Sequence, residues 1–133
     1  MLRMMVIHCG ALERHPSLRI VLGESGIGWI PYVLERMDEE WEGRYRERLG
    51  MKMKPSEYWR RQCYVGASAH STRAEIEARD KIGVRNIMWG SDYPHPEGTW
   101  PASAERTREM FFGLYRDYAL GGIDDRCFTH EFR

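Results

Sequence analysis

Cysteine is scarce in this chain: three in 133 residues, Cys9, Cys63 and Cys127. The number is odd, the spacing is wide, and no C-x-x-C pair occurs. That pattern excludes a disulfide framework and a zinc knuckle, and it points to a reducing compartment. An excess of one charge is also lacking, because 20 Lys and Arg balance 20 Asp and Glu. No net field is available to gather nucleic acid or an anionic membrane. Long hydrophobic runs are missing as well. Residues 1–10 are apolar apart from one arginine, yet too short to span a bilayer. No small-residue cleavage site follows a long apolar core, so no signal peptide is expected. Internal repeats and low-complexity segments are absent. Together these absences predict a cytoplasmic chain with no membrane and no nucleic-acid partner.

What is present is the composition of a globular protein, with 42% hydrophobic and 30% charged residues. A chain of this length can bury roughly two-thirds of its unfolded surface. Residues 2–12 read as a short helix, broken by His15-Pro16-Ser17. Residues 18–22 form a compact apolar strand of the kind covered on both faces in a parallel sheet. A glycine-rich turn follows at 23–28. Ile30, Val33, Leu34, Met37 and Trp41 then share one face of a 3.6-residue period, with Pro31 suited to a first helical turn. Residues 42–54 are polar and basic and read as a helix extension or a long connection. Residues 57–62 look helical, and 63–67 look like a second strand.

Thr72 and Glu75 have capping-box spacing. They predict a helix to about Lys81, stopped by Gly83. Residues 84–89 are the third strand, 91–101 a proline-rich loop, and 103–120 a last helix with Met110, Phe111, Leu114, Tyr115 and Tyr118 inward. Helices alternating with strands predict an α/β fold with parallel strands and crossover helices.

Two constellations could carry chemistry. In the first, Asp92 follows an apolar strand directly, where parallel α/β folds place their functional groups. Gly90 allows close backbone approach. Tyr93-Pro94 and His95-Pro96 fix φ twice and stiffen the loop. Asp92 is therefore either a site carboxylate or a turn cap. His95 is a second site group or a loop-packing residue. The basic and aromatic run at 44–61 reads as a solvated helix face, because no regular Lys/Arg stripe runs through it.

The second is Gly23-Glu24-Ser25-Gly26-Ile27-Gly28. It lacks the Lys-Ser/Thr pair of a phosphate loop. It matches G-x-S-x-G of a nucleophile elbow except that Ile27 replaces the closing glycine, which leaves a serine esterase using Ser25 as an alternative. The plain structural role is a turn that lets strand and helix pack closely. Glu24 lies just past a strand end, and His70 follows the second strand as either a site-lining group or a cap.

Residues 12–32, with Leu34-Glu35-Arg36-Met37-Asp38 after them, resemble the amidohydrolase-related family, which includes metal-dependent hydrolases and aminocarboxymuconate-semialdehyde and related aromatic-acid decarboxylases. Trp89-Gly90-Ser91-Asp92-Tyr93-Pro94-His95 resembles its last-strand motif. The resemblance runs from about Met1 to Ile123. It implies that 1–123 is a partial barrel domain, about three β/α units from the C-terminal part of a (β/α)8 TIM barrel, with 124–133 an irregular tail.

The resemblance also implies roles. Asp92 matches the carboxylate after the eighth strand that binds the divalent metal, zinc by expectation, and that orients or deprotonates its water. Glu24 matches a position where decarboxylase members carry a catalytic histidine; a glutamate there would serve as a base or mark a different chemistry. The family's other metal-binding positions have no counterpart here, and a zinc site needs three or four protein ligands. The chain alone is therefore expected to be inactive and not to retain the ion. The residues after Gly122 depart from the family pattern, as a truncated or frameshifted product near Asp125 would. The expected partners are a small-molecule substrate in the parent enzyme and either a separately encoded N-terminal half-barrel or further copies of the chain.

Overall fold

The computed structural model describes residues 2–48, 50–67 and 72–109. The chain divides into two compact units, 1–90 and 91–133. The boundary expected at 123 and the tail after it lie outside the described residues.

In the first unit three strands, β1 (Ile20–Leu22), β2 (Cys63–Ala67) and β3 (Ile87–Trp89), form a parallel sheet in the order β1-β2-β3. The register pairs Leu22 with Val65 and Val65 with Ile87. The α/β, parallel-strand expectation is met. β1 and β3 are shorter than the runs that announced them, while β2 matches its expected span. Residues 84–86, expected as strand, instead make a 3-10 turn leading into β3.

The helices are α1 (Leu2–His8), α2 (Ala11–Arg14), α3 (Ile30–Glu40), α4 (Pro55–Gln62), α5 (Arg73–Glu77) and α6 (Arg79–Ile82). The single helix expected over 2–12 is broken at Gly10, which takes φ 72°, a conformation that ends right-handed helices. Helix α3 buries the face its periodicity announced: Ile30, Leu34 and Met37 are inside. Past it, Trp41–Tyr45 continues as a π-helical turn, so the first part of the polar stretch extends the helix. Pro55 opens α4, two residues before the expected start, where its missing N–H costs nothing. Gly83 ends α6 as expected.

The core lies between the helices and one face of the sheet. Leu22, Cys63 and Val65 from the strands meet Ile7, Leu12, Ile30, Leu34, Tyr58, Trp59 and Ile82 from the helices. Trp59 and Tyr58 are fully buried; truncating either to Ala costs about 3–5 kcal/mol in typical cores. Each also satisfies its polar handle. The Trp59 indole donates to the Ile82 carbonyl at 2.9 Å, and the Tyr58 hydroxyl donates to Glu13 while accepting from the Lys52 N–H at 3.1 Å.

The opposite face of the sheet corrects one expectation. Side chains alternate along a strand, so the register puts Val21, Tyr64, Gly66 and Met88 on one side. Val21 is 58% exposed and Met88 40%. The apolar run 18–22 was read as a strand covered on both faces, but in this unit the helices cover one. On the open side Val21 and Met88 are exposed, while Tyr64 and Gly66 are half-buried.

Candidate functional site

The candidate site residues sit where the strands end. Glu24 lies two residues beyond β1 and Asp92 three beyond β3. Among the described residues they are the two non-glycine positions with positive φ, 46° for Glu24 and 58° for Asp92. That region is uncommon for L-residues with a side chain, more so for Glu than for Asp, and such outliers cluster at functional sites.

Asp92 belongs to the second unit, in a loop that closes on itself. Ser91 O accepts from Thr99 N at 2.9 Å, Asp92 O from His95 N at 2.8 Å, and His95 O from Gly98 N at 2.9 Å. A Cβ at Gly98 would stand 2.8–2.9 Å from the carbonyl oxygens of Ser91, Asp92 and His95, so only glycine lets the loop close. Tyr93 and Trp100 meet edge to face, ring centroids 5.8 Å apart, and the peptides Tyr93-Pro94 and Trp100-Pro101 are cis. Thr99 and Ser103 share a 2.9 Å hydroxyl hydrogen bond, which ties the loop to the helical residues 103–109. The remainder of the helix expected to 120 lies outside the described residues. The loop is thus closed by backbone hydrogen bonds as well as punctuated by prolines.

The structure brings His95 to Asp92, with Nδ1 3.4 Å from Oδ2. The same Nδ1 accepts from the Glu97 N–H at 3.3 Å. Both side chains are exposed, His95 at 56% and Asp92 at 39%. His70 lies outside the described residues.

Glu24 belongs to the first unit, on an exposed turn. Ser25 beside it is half-buried, and its Oγ donates to the Gly26 carbonyl at 3.4 Å. A nucleophile elbow strains the serine itself; here the positive φ falls on Glu24. The geometry lends the esterase alternative no support.

One residue of this turn was missed. Glu75 was read only as the partner in a capping box, which is present: Thr72 N donates to Oε2 at 2.8 Å, and Glu75 N donates to Thr72 Oγ1 at 3.3 Å. Its other oxygen, Oε1, accepts from Ile27 N at 3.3 Å and Gly28 N at 3.2 Å. Burial opposes ionisation of Glu75, but the N–H groups of Thr72, Gly28 and Ile27 outweigh it and hold the carboxyl below its usual range. The capping signal was local, whereas the contact to 27 and 28 spans nearly fifty residues of chain and left no sequence pattern.

No three His, Cys, Asp or Glu side chains among the described residues converge on a common point. A tightly held transition metal needs three or four protein ligands. The donors described here therefore do not by themselves fit a retained ion. Nor is any described helix long and apolar enough to cross a membrane.

The first unit is a parallel β/α arrangement with helices packed on one face of the sheet. The amidohydrolase family profile matches residues 2–120, and the chain belongs to that family. Gamma-resorcylate decarboxylases from Rhizobium sp. (strain MTP-10005) and Polaromonas sp. (strain JS666) are 30% identical over 88 residues, 64% of this chain and 26% of theirs. The chain thus spans about a quarter of the length of these curated relatives. Among solved structures, 5-carboxyvanillate decarboxylase from Sphingomonas paucimobilis superposes with a TM-score of 0.63 at 30% identity, over 81% of this chain and 32% of its own. An amidohydrolase from Mycobacterium avium subsp. paratuberculosis gives 0.64 at 24% identity, over 91% and 27%. A dihydroxybenzoic acid decarboxylase from Polaromonas sp. JS666, solved with bound manganese and the inhibitor 2-nitroresorcinol, gives 0.54 at 20% identity, over 95% and 41%.

Proposed function

We propose that this chain is the C-terminal part of an amidohydrolase-type (β/α)8 barrel. Its parent activity is metal-dependent hydrolysis or non-oxidative decarboxylation of a small carboxylated or cyclic substrate. The observation that carries this reading is the backbone of Glu24 and Asp92, two carboxylates held at positive φ just past the ends of parallel strands. Active sites of β/α barrels are assembled at that end of the sheet. The relatives named above, decarboxylases of carboxylated phenols, support the substrate class.

In this reading Asp92 supplies one hard oxygen donor to a divalent ion, and the remaining donors come from barrel units that this chain lacks. Oxygen donors suit manganese as well as zinc. Glu24, on the turn after β1, is the candidate base. The open apolar face with Val21 and Met88 is the surface those missing units cover. They belong to the rest of the barrel, on the same polypeptide as in the longer relatives or on a separate subunit.

The test is purification of the tagged chain from its native host, with metal content and turnover of carboxylated phenols measured on the assembly obtained. We expect a complex that holds a divalent metal, loses it on Asp92→Ala, and is inactive when reduced to this chain alone. Metal-dependent turnover by the isolated monomer, abolished by Asp92→Ala, would overturn the split-site reading. A metal content that Asp92→Ala leaves unchanged would remove Asp92 from the ligand set.

A further inference from the structure

We infer that Glu75 is the positioning residue that holds the glycine turn after β1, and with it Glu24, at the carboxyl end of the sheet. The inference rests on the reading of Glu24 as a site carboxylate. The turn at 23–28 has no ladder of its own, so its polar groups need partners from elsewhere. Its carbonyls find one in the Trp29 indole, which donates to Ser25 O at 2.8 Å and Gly26 O at 3.1 Å. Its N–H groups find the other in Glu75 Oε1, which accepts from both Ile27 and Gly28. The turn is thus gripped from both sides, next to the residue whose φ is positive.

The fit is close. A Cβ at Gly28 would stand 3.0 Å from Glu75 Cγ and 3.3 Å from Oε1. The bare backbone at position 28 is what lets the carboxylate reach the two N–H groups. The two oxygens also divide the work. Oε2 serves the N-terminus of α5 through Thr72 N, and Oε1 serves the turn. One carboxylate therefore couples the loop after β1 to the helix that follows β2.

This division makes the role separable from ordinary helix capping. A carboxamide has one acceptor oxygen and one donor nitrogen, so Glu75→Gln can keep either the cap or the turn, not both. Thr72→Ala removes the hydroxyl cap and leaves the carboxylate in place. Hydrogen exchange of the full chain, in the assembly it adopts, reads the outcome at Ile27 and Gly28.

Glu75→Ala should speed exchange at both amides on the order of tenfold, as expected for loss of a charge-assisted hydrogen bond. Glu75→Gln should release either the turn or Thr72 N while protecting the other. Thr72→Ala should leave Ile27 and Gly28 as they are. Unchanged exchange in Glu75→Ala, or equal release in Thr72→Ala, would overturn the inference. Failure of the functional reading is distinguishable, because it shows as activity of the assembled enzyme that Glu24→Gln does not alter, whatever the exchange at 27 and 28.

Discussion

Asn86 offers the sharpest test of how the strand leading to Asp92 is held. It is buried at the end of the 3-10 turn that feeds β3. Its Nδ2 donates to the Cys63 carbonyl at 2.7 Å, the Arg60 carbonyl at 3.0 Å and the Trp59 carbonyl at 3.3 Å. Those carbonyls lie where α4 gives way to β2, and of the three that of Trp59 also accepts from the Cys63 N–H. Asn86→Ala strips the donor from at least the two closer acceptors. An unsatisfied buried polar group costs about 1–3 kcal/mol, so two should cost about 2–6 kcal/mol. With a urea dependence of about 2 kcal/mol per molar for a small domain, the unfolding midpoint falls by about 1–3 M. The slope itself should not change, because the surface exposed on unfolding is the same.

Asn86→Asp sharpens the test. The side chain keeps its shape but faces carbonyl oxygens with an acceptor-only carboxylate at neutral pH. It should be less stable than Asn86→Ala at pH 7. It should recover on acidification, when the protonated carboxyl regains a donor. A midpoint for Asn86→Ala that corresponds to less than about 0.5 kcal/mol, the range of an ordinary surface change, would refute the reasoning.

Three further outcomes are expected. Gly98→Ala should open the Asp92 loop by forcing a methyl against three carbonyl oxygens, with local destabilisation of about 1–3 kcal/mol as in overpacked sites; proteolysis within 91–101 as slow as in the parent chain would contradict this. Burial pushes the Cys63 thiol up to about 11, so at pH 8 iodoacetamide should modify exposed Cys9 and spare Cys63 until the chain unfolds. Burial holds His8 below its ordinary value of 6.5 against the opposing pull of Glu40. The unfolded chain then binds more protons than the folded one below pH 6.5, so stability should be full above that pH and fall as the pH drops through the folded value. His8→Gln should flatten that acid slope in thermal melts.

The division between what was legible in the sequence and what was not follows from the range of the interactions. Period and punctuation are local, so the inward face of α3, the strand Cys63–Ala67, the Thr72 cap and the Gly83 stop could all be read directly. The placement of Glu24 and Asp92 just after strands was equally legible, because it needs only the strand ends. Tertiary structure alone decided that His95 spends Nδ1 on the Glu97 N–H, that the loop closes through Gly98, and that Glu75 reaches back to Ile27 and Gly28. The first is set by the local loop conformation, the second by how the loop folds back from Gly98 to Ser91 and Asp92, and the third by a contact between distant segments. None of these leaves a period in the chain. The apolar side of β1 shows the same limit from the other direction: the sequence of 18–22 announced a strand meant to be covered on both faces, and only the packed structure revealed that one face carries Val21 open to solvent. Asp92 was identified by sequence as a carboxylate just past a strand. Its left-handed backbone and its place in a closed loop came from the fold.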